Sequence, residues 1–466
     1  MITCKSRSMN MPTFLAGAAR TEITPPLGTI LGCDLDRHFA RFIHDPLFAK
    51  ALVLKNEDTM VAIVIVDICI MPTDLMNDIK WRIHQKTGIR PENILLASTH
   101  THGAGDVVGI LGSAVDIAYR NALPGPVVEA VVQAMKNMKP ARIASGSAEV
   151  AEHLLCRRYE MQEGYIANNP VTGEADQVKT NPFGAEKLIV DHASPVDPGV
   201  GFLAVRGTDD KWIALLGNYS MHYVGDWHVD TVTADYYGEF SRQVQEKLDA
   251  GEDFVGMMTY GTGADVNIWE FRHPERYPVE QFAKTKFIGS DLADRVVSRL
   301  REVVWQENPE LDVQFEELQL AVRKPSAKEL ELAGQRFTAE GLDNLTGDPD
   351  AVARIYAREV LLVNQYPDTV SSNVQAIRIG DQAIGALGGE FFSETGLLLK
   401  ENVKGYNYFS ICLANSYGGY VPPAHEIERG GYETWLARSS FLEAGAEQKI
   451  RSKMLELVEK LSRTVQ

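Results

Sequence analysis

The chain has 466 residues, enough for a large core, with 45% hydrophobic and 23% charged residues, the ordinary balance of a globular protein. Lys and Arg number 46 against 63 Asp and Glu, a formal charge of -17, which excludes binding to nucleic acid or to an anionic membrane through a general field, since both partners are negative. No stretch approaches the roughly 18 consecutive apolar residues of a membrane helix, so no integral membrane association is expected.

Residues 14–24 alternate like a strand and stop at Pro25-Pro26. Lys50 to Leu54 and Met60 to Val66 read as strand, polar turn, strand. The second of these, Val61-Ala-Ile-Val-Ile-Val66, is apolar on both faces, which predicts a sheet covered by helices on both sides. Pro72-Thr73-Asp74 starts a helix to about Thr87, closed by Gly88. Asn93 to Ser98 is the next strand, completing a β–α–β unit that sets Asp67 and His100 at neighbouring strand ends. A helix at about 125–138 and a strand at Ala141 to Val150 follow. Residues 160–198, rich in Gly, Pro, Asn and Asp, form a long excursion expected to serve as a pocket wall or lid.

Lys211 to Tyr219 and Phe254 to Tyr260 are further strands. Helices are expected at about 279–305, 327–340 and 349–363, with a linker from Asp343 to Pro349. Ser372 to Ile379 and Gln382 to Leu387 form a hairpin, Tyr408 to Ala414 a last strand, and 441–463 an amphipathic helix. The expected fold class is α/β, a mixed, largely parallel sheet core flanked by helices, within one domain over 1–466. The five cysteines, Cys4, Cys33, Cys69, Cys156 and Cys412, are scattered without a Cys-x-x-Cys pair, the pattern of reduced thiols. Met1 to Met11 lacks the apolar core of a secretory leader, and a cytoplasmic location is expected.

Several strands end in a polar side chain beside glycine: Asp67, His100 and His102, His222, Asp265 and Asn267, Glu390, Tyr420. Carboxyl ends of parallel strands are where α/β proteins hold ligands. Two histidines and a carboxylate, with a position left for water, are the composition of a catalytic zinc site. His228 with Asp226 and Asp230 is a second ligand-rich stretch, read as a solvated loop.

These motifs resemble the neutral (alkaline, non-lysosomal) ceramidase family, zinc amidases that cleave the amide of N-acyl-sphingosine. The resemblance runs from Ala18 to about Tyr432, and Leu95-Leu-Ala-Ser-Thr-His-Thr-His102 is its most specific piece. It implies one zinc ion held by His100, His222, Glu390 of Gly389-Glu390-Phe391, and Tyr420 of the Asn415-to-Tyr420 motif. It also implies Tyr432 as a donor to the reacting carbonyl, His102 as a histidine behind the ligands or facing the substrate, and Arg157 as a substrate-facing cation. Asp67 and Asp265 are expected to orient the ligand histidines.

The departures surround the pocket. A serine of the family is Asn267 here, within Ala264-Asp265-Val266-Asn267, and the Asn before the arginine is Cys156. The His-Thr-His is followed by Gly103-Ala104-Gly105, and Pro422-Pro423 follows the ligand tyrosine; no C-terminal immunoglobulin-like domain is expected. The expectation is a metal-dependent hydrolase that cleaves an amide or ester of a small polar molecule by metal-activated water. The alternatives are a true ceramidase, a metal enzyme of another class such as a lyase, or a non-catalytic relative.

Overall fold

The computed structural model describes residues 14–57, 59–337 and 350–463. Cys4, the expected linker from Asp343 to Pro349 and the end of the helix expected at 327–340 lie outside these residues. The main sheet has eight strands: β1 (Leu15–Glu22), β2 (Phe48–Lys55), β3 (Met60–Val66), β4 (Ile94–Ser98), β5 (Lys139–Glu149), β6 (Gly199–Gly207), β7 (Trp212–Tyr219) and β8 (Val255–Tyr260). Their order across the sheet is β8-β7-β6-β5-β1-β2-β3-β4. The sheet is mixed, but not largely parallel as expected. Only the two outermost pairs, β7–β8 and β3–β4, are parallel, and the five between them are antiparallel.

Period-2 alternation along β3 explains what covers the sheet. Ala62, Val64 and Val66 face a core shared with helices α1 (Thr73–Thr87) and α2 (Pro124–Lys136). Val61, Ile63 and Ile65 face the opposite way, into a core shared with Ile377, Ile384 and Phe409. Those residues belong to a second sheet, β9 (Leu311–Ala321), β10 (Thr369–Ile379), β11 (Gln382–Leu387) and β12 (Asn407–Ile411). One face is therefore covered by helices and the other by a sheet, not by helices on both. An apolar run on both faces is satisfied equally by either cover, and each buried Val, Leu or Ile contributes roughly 1.5–3 kcal/mol in both. Helices α3 (Asp235–Lys247) and α4 (Ala283–Arg299) pack against one another beside β8, and α5 (Ala446–Arg463) packs on the second sheet.

Helix α1 ends where expected, at Gly88, whose φ of 76° is left-handed and whose N–H donates to His84 O at 2.8 Å. The excursion from 158 to 192 is built of short hairpins: Arg158–Met161 pairs with Lys179–Thr180 and Ile189–His192, and Ala167–Asn168 with Ala175–Asp176.

The chain after β12 ties the two parallel edges together. Cys412 N donates to Tyr260 O (2.9 Å), Ser98 N to Leu413 O (3.3 Å) and Asn415 N to Leu96 O (2.8 Å). Leu413 and Asn415 adopt positive φ (51° and 64°), a strained path for non-glycine residues. Asn415 holds it with its side chain, accepting from Leu96 N and from Lys80 Nζ (both 3.1 Å) and donating to Gln375 Oε1 (2.8 Å).

Lys80 is 4% exposed, and burial pushes its ammonium down to about 8 from 10.5. Between those values the unfolded chain binds the proton and the folded chain does not. Stability therefore rises with pH across that window, by about 3 kcal/mol for this group. Urea midpoints at pH 7.5 and 10.5 should show this rise in the wild type, and Lys80→Met should remove it.

Candidate active site

Three parallel strand pairs deliver their carboxyl ends to one place. His100 follows β4, His222 follows β7, and Glu390 follows β11. His100 Nε2 lies 3.0 Å from His222 Nε2 and 3.4 Å from Glu390 Oε2, and His222 Nε2 lies 4.0 Å from the same oxygen. All three residues are buried. His100 has a φ of 76°, and its N–H donates to Ile68 O at 3.0 Å.

The outer nitrogens fix the tautomers. His100 Nδ1 is 3.1 Å from Cys69 O and His222 Nδ1 is 3.2 Å from Gly263 O. A carbonyl only accepts, so both Nδ1 atoms carry the proton and both Nε2 lone pairs face inward. Gly263 is required at its position, because a Cβ there would lie 2.8 Å from Ser220 C. Tyr260 braces both rings: it stacks on His100 (4.9 Å between centroids) and its OH is 3.2 Å from His222 Nδ1.

Burial, reinforced by His102 and Arg157, holds His100 and His222 well below the usual histidine range, so both are neutral. Burial also pushes Glu390 up to about 8, against the pull of Arg157 and a hydrogen bond with Tyr420. Two neutral imidazole lone pairs in contact, beside a buried Glu390 Oε2 with no hydrogen-bond partner, form a cradle with no cation between its donors. This donor set fits a divalent cation such as zinc.

Arg157 is 6% exposed, an interior group and not a surface one. Its Nη1 is 3.4 Å from His222 Nε2 and its Nη2 donates to Tyr420 OH at 3.2 Å. Its Nε donates to Glu433 Oε1 at 2.7 Å, and its guanidinium lies over the rings of Tyr420 and Tyr432. Glu433 also accepts from Arg158 Nη1 (2.8 Å) and Thr180 Oγ1 (2.9 Å), and Glu426 takes the other arm of Arg158 (2.7 Å). Burial opposes the charge on Glu433, but the two guanidiniums outweigh it and hold the carboxyl below its ordinary range.

A cavity of about 810 Å³ opens over this group, lined by His100, His102, Arg157, His222, Glu390, Tyr420, Tyr432 and Asn267. The expected ligands and carbonyl-facing groups thus border one space, whereas Asp67 and Asp265 do not line it. His102 stacks on Tyr223 (3.8 Å) and its Nε2 is buried without a partner, and burial pushes the ring down to about 4. Asn267 is occupied at both ends, donating to Asn181 Oδ1 (2.6 Å) and accepting from Trp269 N (3.1 Å). Tyr420 and Tyr432 meet edge to face at 5.8 Å.

Two expectations fail. Asp67 does not orient a ligand histidine: it ion-pairs with Lys50 at 3.0 Å across the β2–β3 pair and accepts from Phe48 N. Asp265 accepts from Ser393 N (2.8 Å) and Ser393 Oγ (3.1 Å), which places Ser393 after Glu390. Backbone carbonyls orient the imidazoles instead. Asp226 accepts from Lys284 N and Thr285 N at the start of α4, and His228 is exposed in its loop.

No protein-family model matches the sequence. Among solved structures, the neutral ceramidase of Pseudomonas aeruginosa superposes with a TM-score of 0.71 at 16% identity, over 98% of this chain and 75% of that one. A ceramidase complexed with C2 gives 0.69 at 16% identity, over 97% and 76%. The chain has the ceramidase fold. The likeness first visible in Ser98–His102 therefore extends over nearly the whole described architecture. Among the described residues no helix is long and apolar enough to cross a membrane.

Glu433, Tyr260 and Tyr223 were missed in the sequence. Glu433 follows Tyr432 directly and Tyr223 follows His222, so adjacency to a motif residue was the available signal. Removing Glu433 leaves two buried guanidiniums uncompensated. Glu433→Ala should cost about 3–5 kcal/mol of stability by urea denaturation, more than Glu433→Gln, which keeps hydrogen-bond acceptors.

Proposed function

We propose that this protein is a zinc-dependent hydrolase that cleaves the amide or ester bond of a small molecule. The observation that carries the reading is the convergence of His100 Nε2, His222 Nε2 and the unpartnered Glu390 Oε2. One zinc ion held by these three, with the Tyr420 hydroxyl beside Glu390, would supply an acidified water and polarise the scissile carbonyl.

The chain's own groups supply the rest. The carbonyl oxygens of Cys69 and Gly263 fix the histidine tautomers, so the inward lone pairs are ready without rearrangement. His102, neutral and with a free Nε2 at the cavity, takes a proton from the attacking water and passes it to the leaving amine or alcohol. Tyr432 donates to the carbonyl oxygen as negative charge develops on it. Arg157, pinned by Glu433, holds the Tyr420 hydroxyl and a fixed positive charge beside the reacting group. Asn267, tied to Asn181, shapes the wall and is no nucleophile.

A small polar substrate is supported by the wall facing the donors, which carries Asn168, Asn169, Lys179, Asn181 and Asn267. A ceramide-like substrate is the second reading, supported by the two ceramidase neighbours and by Ile70, Ile110, Leu111, Phe183 and Trp269 on the same cavity. A cytoplasmic location is part of the proposal, supported by free thiols at Cys33, Cys69, Cys156 and Cys412.

Metal analysis of the purified protein should find zinc, and His100→Ala and Glu390→Ala should each lose it with an unchanged circular dichroism spectrum. Full metal retention in both variants would falsify the ligand assignment. Tyr432→Phe should lower kcat by about 10²–10³ with metal content unchanged. Turnover of soluble N-acyl and O-acyl compounds compared with N-acyl-sphingosine decides between the two substrate readings.

A further inference from the structure

The cavity wall away from the strand ends carries two cations that the protein leaves unmatched. Lys179 lies in the short strand Lys179–Thr180, and Arg336 ends the helix Ala327–Arg336. Both line the cavity, half-buried. Among the described residues the Lys179 ammonium has no hydrogen bond or ion pair, and the Arg336 guanidinium donates only to Pro170 O.

The carboxylates that could match them are spent elsewhere. Among the described residues the acids on the cavity lining are Asp34 and Glu390. Asp34 lies 3.6 Å from His38 Nε2 and accepts from Leu35 N at 2.7 Å, and Glu390 stands with the two histidines. In the hairpin that supplies Pro170, Glu174 accepts from Lys328 (2.9 Å). Asp176 accepts from Asn169 Nδ2 (2.9 Å) and Trp435 Nε1 (2.7 Å). Elsewhere this chain of net charge -17 matches half-buried cations, Lys400 with Asp197 and Arg438 with Glu359.

The backbone under Lys179 is fixed. Tyr159 pairs with Lys179 and Arg158 with Thr180, while Thr180 Oγ1 donates to Glu433 Oε2 (2.9 Å) and accepts from Tyr432 N (3.3 Å). The ammonium thus hangs from a strand tied to Tyr432, on a flexible four-carbon stem. A guanidinium and an ammonium together suit the oxygens of a carboxylate or phosphate, one through its planar fork and the other as a point charge.

We propose that Lys179 and Arg336 bind an anionic group, carboxylate or phosphate, that the substrate carries away from its scissile bond. The substrate is then an anionic acyl compound and not a neutral lipid, and a cavity of about 810 Å³ is of the size that encloses a whole small ligand. The place of the scissile bond rests on the hydrolase reading, whereas the anion binding does not.

Calorimetry on the full zinc-loaded chain tests this with three uncleavable hexanoyl ketones, in which CH2 replaces the amide nitrogen. They end in a carboxylate, a phosphate or a neutral carboxamide. At least one anion should bind about tenfold or more tighter than the carboxamide, and the two anionic arms tell carboxylate from phosphate. High salt should shrink the preference. Lys179→Gln and Arg336→Gln should each reduce it severalfold and together bring the three probes to near equality. Lys179→Arg should retain it, which separates lost charge from disturbed folding. Equal binding of the three probes to the wild type, or a preference that survives the double substitution, overturns the proposal. Turnover of the cleavable amides is read separately: selective binding without turnover sinks the hydrolase reading alone, and turnover without anion preference sinks this one alone.

Discussion

Two imidazole protons, each given to a main-chain carbonyl, decide the character of this site. Because His100 and His222 spend Nδ1 on Cys69 O and Gly263 O, their remaining nitrogens can only accept, and they point at each other. Two acceptors in contact are repulsive unless something positive lies between or beside them. The fold holds them there at the cost of a left-handed backbone at His100 and of a glycine whose Cβ would strike its neighbour. Strain of this kind persists where the surrounding structure over-determines it. The surrounding structure here is the pair of parallel edges bound together through residues 412–415.

The positive charge nearest that cradle is Arg157, and its treatment is instructive in a chain of net charge -17. Burying a lone guanidinium is costly, so the interior supplies Glu433, which serves Arg157 and Arg158 together. This leaves Glu390 without a matched cation, and burial holds it toward its protonated form. The site is therefore electrostatically incomplete by one cation, whereas the neighbouring arginine network is complete. The same molecule satisfies Lys50 with Asp67 and Arg438 with Glu359.

Much of this was legible in the sequence because strand ends announce themselves. Apolar runs that stop at His100, Tyr219, Tyr260 and Leu387 locate the rim, and polar residues beside glycine mark what the rim carries. Periodicity was silent on what covers a two-faced apolar strand, so helices were expected on the face where the second sheet packs, although three strands of that sheet were themselves legible. The strand Gly199–Gly207, the strand Leu311–Ala321 and the helix Asp235–Lys247 went unread. The first two lie in stretches with mixed patterning, and the helix contains Tyr236-Tyr237-Gly238, weak helix formers whose burial is decided by tertiary packing. Asp67 was misassigned for a related reason: its partner Lys50 is on the adjacent strand, a relation set by antiparallel pairing and absent from linear spacing.

The ligand side of the cavity and its far wall come from different parts of the fold, and this separates chemistry from selection. Donors arise from strand ends fixed by the two-sheet core, where a small displacement would break main-chain pairing. The opposite wall arises largely from the hairpins between 158 and 192, joined to the core through Thr180 and Asn181. Loops of this kind change composition without disturbing a core. Asn267 shows the coupling at its simplest: it stands on a strand end but spends its amide on Asn181, binding wall to rim. A chain can thus keep its core and the strand ends that carry His100, His222 and Glu390 while the hairpins change which side chains face them, here amides and a lysine. The hairpin wall can therefore vary in composition while the donor side, fixed by main-chain pairing, cannot.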